Sequence, residues 1–222
     1  MKKMNSQWSL FLVDDDEAVL DALSFVLEGE GYQPHSFSSA DAFWAYQNQQ
    51  THPLQGALIL DSRMPGMSGQ ELQRQLCSTV HALSIVFLTG HGDVPMAVDA
   101  LKLGASDFLQ KPVERDTLLA AVENALERSV TLAEKRRSVV QYQNLTARER
   151  DLLQLYAQGL GNNQIADQLH ISVRTVEVHK SRLLQHLGVD SLADMVRLYT
   201  MVEPELKHIP PPPSRIKRNK SN

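Results

Sequence analysis

The chain has 222 residues, 42% of them hydrophobic, enough for one or two domains with true cores. A single cysteine, Cys77, excludes an internal disulfide framework, and no apolar run approaches the roughly 18 residues that a membrane-spanning helix needs. The formal net charge of −4 conceals an asymmetry: residues 1–127 carry 7 Lys/Arg and 17 Asp/Glu, whereas residues 128–222 carry 15 and 9, so an acidic module is expected ahead of a basic one suited to nucleic acid.

The start, Met1-Lys2-Lys3-Met4, is positive, but the apolar stretch at 9–13 is too short for a signal-peptide core and ends at once in aspartates, which predicts a cytoplasmic protein. Short apolar runs at 10–13, 32–37, 57–60, 85–88 and 107–110 read as five strands. Helical stretches alternate with them. Ala18, Leu20, Leu23, Val26 and Leu27 recur at helical spacing after the first strand, closed by Gly29 and Gly31. Further helices are predicted from Ser39 through Tyr46, over 68–76, over 94–103 before Gly104, and over 114–126 after Pro112. Cys77 follows an apolar-polar helical pattern and reads as a small, buried or half-buried side chain. Strands alternating with helices of this length predict an α/β fold, a five-stranded doubly wound parallel sheet, over residues 8–127.

Residues 128–143 are polar and charged without Gly or Pro, so they form either a helical linker or a flexible coil. Thr146 with Glu149 three residues on is a capping-box pattern. The helix behind it stops at Gly159, and further helices are expected over 162–169, 172–187 and 191–201. Residues 144–203 are thus a small all-α four-helix module. The tail, 204–222, holds Pro210–Pro213 and then Arg215, Lys217, Arg218 and Lys220; it reads as disordered, either brushing DNA phosphates or simply solvated.

In an open parallel sheet, ligands bind outside the carboxyl ends of the strands where strand order reverses. Asp14-Asp15, Asp61, Thr89 and Lys111-Pro112 each follow a predicted strand and would meet there. Crowded carboxylates repel one another unless a cation lies among them. With only acids, a hydroxyl and a lysine on offer, a hard ion such as Mg2+ suits the site, and a phosphoryl group on one aspartate suits its chemistry.

These motifs carry a family resemblance. Asp61-Ser62-Arg63-Met64-Pro65-Gly66-Met67-Ser68-Gly69 resembles the phosphoacceptor strand and loop of bacterial response-regulator receiver domains. Thr89-Gly90-His91-Gly92-Asp93-Val94-Pro95-Met96-Ala97 is similar to the nitrogen-fixation subfamily of these regulators. The resemblance implies that Asp61 accepts a phosphoryl group from a sensor histidine kinase. Asp15, Asp61 and the Arg63 backbone carbonyl would bind Mg2+, with Asp14 acting through a coordinated water. Lys111 would oppose the metal, after a cis peptide to Pro112, and Thr89 would donate to a phosphoryl oxygen. Arg63 and His91 would set the lifetime of the phosphoaspartate. As a metal ligand, His91 has no second His or Cys beside it. Asp16 and Glu17 read as first-turn helix acids. Thr89 moving inward would vacate space for Phe108, the switch pair; a permanently buried Phe108 is the alternative. Val94 and Met96 lie on the face that would move and could join a homodimer contact.

The rear module resembles the LuxR-type helix-turn-helix output domain of the quorum-sensing and nitrate-regulator type. The likeness rests on Leu145-Thr146-Ala147-Arg148-Glu149-Arg150, on Asn163-Gln164-Ile165-Ala166, and on Ile171-Ser172-Val173-Arg174-Thr175-Val176-Glu177-Val178-His179, closing with Leu187-Gly188-Val189. It implies double-stranded DNA as partner, with RNA polymerase beyond it. Val176, Leu183, Leu184 and Leu187 are the expected core of the recognition helix. Arg174, Thr175, Glu177, Val178, Lys180, Ser181 and Arg182 are the expected contacts with bases and phosphates. His179 is either core or phosphate contact. The chain as a whole reads as a transcription regulator switched by aspartyl phosphorylation, and segments 88–112 and 174–179 are most similar to regulators of tetrathionate respiration. Two rivals remain at this point: a Mg2+-dependent phosphatase or phosphotransferase, and a constitutive DNA-binding protein whose receiver only dimerises.

Overall fold

A computed structural model describes residues 9–77, 81–90 and 94–208. The chain divides into two compact units, up to Glu134 and from Lys135. In the first, β1 (Ser9–Val13), α1 (Glu17–Gly29), β2 (Pro34–Phe37), α2 (Ala40–Gln49), β3 (Gln55–Asp61), α3 (Gly69–Cys77), β4 (Ala82–Thr89), α4 (Val94–Lys102) and β5 (Asp107–Gln110) follow in order, and then α5 (Arg115–Gln143) begins, its last residues belonging to the second unit. All strand pairs are parallel, in the order β2-β1-β3-β4-β5. The sheet order reverses between β1 and β3. The second strand is shorter than the apolar run suggested, beginning at Pro34.

The central strands are buried on both faces, which is why they read as unbroken apolar runs rather than as alternation. Leu10, Leu12, Ala57, Ile59, Val86 and Leu88 face α1 and α5, meeting Leu23, Leu27, Leu118 and Val122. Phe11, Val13, Leu58, Leu60, Ile85 and Phe87 face the other way, onto Phe43, Leu72, Leu76 and Ala100 of α2, α3 and α4. The unit is a three-layer α/β/α fold with a separate core on each side of the sheet.

The linker segment is helical: α5 runs without a break from Arg115 to Gln143. Ser129, assigned to the linker by sequence, is fully buried in the first unit. There its hydroxyl accepts from Gly56 N (2.7 Å) and donates to Ala82 O. Cys77 is exposed rather than buried or half-buried, with its Sγ 3.7 Å from the Leu103 carbonyl.

The second unit holds α6 (Ala147–Ala157), α7 (Asn162–Leu169), α8 (Val173–Leu187) and α9 (Leu192–Val202). Tyr142 joins Leu152, Leu153, Tyr156, Ile165, Val176, Leu183, Leu187, Met195 and Leu198 in its core. The Thr146–Glu149 capping box is present at the start of α6. The start of the expected disordered tail is a 3-10 turn, Glu203–His208, because Leu206 packs on that core. Residues 209–222, including the polyproline and basic run, lie outside the described residues.

Candidate functional site

Asp14 follows β1, Asp61 ends β3, Thr89 ends β4 and Lys111 follows β5. Parallel strands in register bring these residues to one edge, at the β1/β3 switch point. Asp14 is 1% exposed and Asp61 6%, while Asp15 is exposed. One ligand oxygen from each of the three lies within 4.8 Å of the others. Lys111 reaches in between, its Nζ 2.6 Å from Asp14 Oδ2 and 3.0 Å from Asp61 Oδ1. Arg63 N donates to Asp61 Oδ2 (3.2 Å) and Asp16 N to Asp14 Oδ1 (3.0 Å). The Lys111-Pro112 peptide is cis.

Charge bookkeeping explains two shifts that at first look contradictory. Burial pushes the Asp61 carboxyl above its usual range, Asp14 pushes it further, and the bond from Lys111 and the Arg63 N–H only partly offset this. Burial alone would lower the Lys111 ammonium, but the two carboxylates outweigh it and raise it. Lys111 gains from two acids, whereas those acids share one cation. A net negative charge remains in a confined space, so the oxygens suit a second, hard cation.

Thr89 is buried and directs its hydroxyl at Leu109 O, a long 3.4 Å contact. Phe108 is 42% exposed, so the reading of a permanently buried Phe108 does not hold. Asp16 is the N-cap of α1, accepting from Ala18 N, and Glu17 is in its first turn. His91 and the side chain of Val94 lie outside the described residues.

Some residues at this edge escaped the sequence reading. A Cβ on Gly69 would come 2.1 Å from Asp61 O, so α3 starts pressed against β3 and only glycine fits. A glycine opening a helix, where propensity is poor, was the available signal. Asp41 of α2 accepts from Met67 N (3.1 Å) in the loop after β3. In the sequence Asp41 looks only like a first-turn helix acid.

In the second unit, α7 ends on His170 in the left-handed conformation (φ 53°), and Ser172 caps α8 by accepting from Thr175 N. Arg174, Glu177, Val178, Ser181 and Arg182 are exposed, and Thr175 and His179 are half-buried. Lys180 departs from the expected outer face. It lies four residues after the buried Val176, hence on the same side of the helix. It is half-buried, with its Nζ 5.7 Å from the Tyr156 ring centroid. Gln185 is exposed and in line with Arg174, Val178 and Ser181.

Residues 10–123 match the family model described as the response regulator receiver domain, and residues 143–199 match that of bacterial regulatory proteins of the luxR family. The tetrathionate response regulatory protein TtrR of Salmonella typhimurium is 42% identical over 200 residues, spanning 90% of this chain and 96% of that protein. The chain belongs to the two-component response regulators. Solved response regulators agree. StyR matches with a TM-score of 0.62 at 40% identity, covering 88% of this regulator and 99% of that chain. Full-length FixJ from B. japonicum matches with 0.54 at 33%, covering 90% and 99%. A receiver followed by a LuxR-type DNA-binding domain makes this a transcriptional regulator, and activation by phosphorylation is the general mechanism of the family. No helix among the described residues is long and apolar enough to cross a membrane.

Proposed function

We propose that Asp61 is the phosphoacceptor and that its phosphorylation by a sensor histidine kinase drives dimerisation and DNA binding. The supporting observation is the set of three acids with one lysine at the β1/β3 switch point. Asp15, Asp61 and the Arg63 carbonyl would hold Mg2+, with Asp14 acting through water; the ion would offset charge between carboxylate and phosphoryl group. An Asp61 oxygen attacks phosphorus, the phosphorus–nitrogen bond to the kinase histidine breaks, and the imidazole leaves and takes up a proton. Lys111 balances the phosphoryl charge and Thr89 gives up Leu109 O to donate to a phosphoryl oxygen. Phe108 then packs into the space that Thr89 leaves. Arg63 and His91 set how fast water removes the group. Beyond this transfer and its reversal by water the protein turns over no substrate.

The moved face carries exposed Val98, Leu101 and Phe108, a fitting homodimer contact. Arg174, Thr175, Glu177, Val178, Ser181 and Arg182 read the major groove as a dimer on two half-sites, with Lys180 contributing from the edge of the helix. RNA polymerase is the downstream partner and the cytoplasm the compartment. The likeness to the tetrathionate regulator favours a role in tetrathionate or other anaerobic respiration.

The test is DNA binding and oligomeric state of the full chain, with and without a small-molecule phosphodonor and Mg2+, beside Asp61→Asn. Dimerisation and tighter binding in the wild type alone are expected. Identical behaviour in all samples would replace this reading with the constitutive DNA-binding one.

A further inference from the structure

The loop between β3 and α3 carries Arg63 and Gly66 before α3 begins. Its first part is tied to the site itself by the Arg63 N–H on Asp61 Oδ2. Its far end is tied by Gly69, packed against Asp61 O, and by Ser68, which caps α3 through a reciprocal pair with Glu71. The middle turns at Gly66, with φ at +77°, and there the backbone is held from outside the loop. Asp41 Oδ2 accepts from Met67 N at 3.1 Å, and a Cβ on Gly66 would meet that same oxygen at 2.8 Å. The carboxylate is therefore seated directly on the turn.

Asp41 sits on a firm support. Its neighbours Ala40 and Phe43 in α2 are fully buried. The Phe43 ring meets Phe11 edge-on at 5.4 Å and Phe37 at 5.3 Å. Phe11 belongs to β1, the strand that delivers Asp14. One aromatic cluster thus fixes the strand carrying Asp14 and the helix carrying the carboxylate that pins the Arg63 loop. A metal ligated by side chains from one strand end and a backbone carbonyl from a loop needs both held in one frame.

We propose that Asp41 is a positioning residue for the Mg2+ site, holding the 62–68 loop so that the Arg63 carbonyl is placed for the ion. This rests on the reading of Asp61 as a Mg2+-dependent phosphoacceptor. Asp41 acts through its hydrogen bond to Met67 N, so an uncharged acceptor oxygen at the same place serves equally.

The experiment is calorimetric titration of the full chain with Mg2+ alone, for wild type, Asp61→Asn, Asp41→Ala and Asp41→Asn, with thermal midpoints in chelator as a folding control. Asp41→Ala is expected to weaken Mg2+ binding about fivefold, close to 1 kcal/mol, with a chelated midpoint near that of the wild type. Asp41→Asn keeps an acceptor oxygen and is expected to restore wild-type affinity. Equal affinity in wild type and Asp41→Ala overturns the positioning role while leaving the Mg2+ reading intact. Asp41→Asn as weak as Asp41→Ala overturns the hydrogen-bond account. Wild type that takes up no Mg2+, or no more than Asp61→Asn, overturns the parent reading and this one together.

Discussion

Lys111 supplies one positive charge to two buried carboxylates, and the consequences can be measured on single side chains. Removing one partner of a fully buried ion pair costs about 3–5 kcal/mol. Lys111 keeps a quarter of its surface, so Lys111→Met should cost on the order of 2 kcal/mol without metal. Mg2+ should return more stability to that variant than to the wild type, checked by thermal melts in Mg2+ and in chelator. Asp61 makes the complementary case. Its carboxyl is held above its usual range, so the folded state binds the proton more tightly than the unfolded chain. Its ionised form is therefore a destabilising charge, relieved as pH falls through the raised value. In chelator, Asp61→Asn should melt above the wild type at neutral pH, with the gap closing towards acid; a wild type equal to the variant at neutral pH would contradict this account. The positions of these residues were legible because each follows an apolar strand. Asp41 and Gly69 were not assigned, because their roles depend on which backbone atom lies opposite, and spacing along the chain does not encode that.

Among the elements, α4 is held at its C-terminal end by neighbours. Gln73, 1% exposed on α3, donates its side-chain N–H to Ala100 O at 2.9 Å, and Arg128 and Cys77 approach the carbonyls of Gly104 and Leu103. Gln73→Leu should remove that tie and leave Ala100 O with one partner fewer. Hydrogen exchange should then accelerate in the last turn of α4 well beyond any change in α3, whereas uniform acceleration would mean general loosening. In the second unit, Glu149 accepts from Thr146 N and from the Thr146 hydroxyl while its other oxygen meets His186 of α8 at 2.8 Å. Burial would raise the Glu149 carboxyl, but the Thr146 bonds and His186 outweigh it and hold it below its usual range. A depressed carboxyl gives stability that is present above the unfolded value and lost as pH falls through the folded one. Thr146→Ala should cost about 1 kcal/mol at neutral pH. The deficit should shrink in acid, as pH-dependent melts would show. The capping box was legible from Thr146 and Glu149 alone. The side on which Lys180 falls was misread, because polar character was allowed to outweigh helical spacing.

For the whole molecule, the opposed charges of the two halves make DNA affinity a property to be read against salt. Each phosphate contact released lowers the slope of log affinity against log salt by about 1. Arg174→Ala and Arg182→Ala should each reduce that slope, while Lys180→Ala, whose ammonium rests on Tyr156, should change it less; equal slopes for all three would return Lys180 to the outer face. The α/β architecture, the five strands and the four-helix module were all legible from periodicity. The fate of residues 128–143 was left open, since neither Ser129 nor Tyr142 advertises the core it enters.

The bond network of Ser129 ties together the rim of the sheet that lies opposite the acidic one. Its hydroxyl links the starts of β3 and β4, next to Gly56, where a Cβ would strike Ser9 O at 1.8 Å. The acidic rim and the rim tied by Ser129 are thus separated by the full length of the strands. Substitutions such as Asp61→Asn would yield abundant protein deaf to its signal, and those beside Ser129 would yield little protein at all. Such a division of labour would let the reactive rim be retuned over generations without the fold being put at risk.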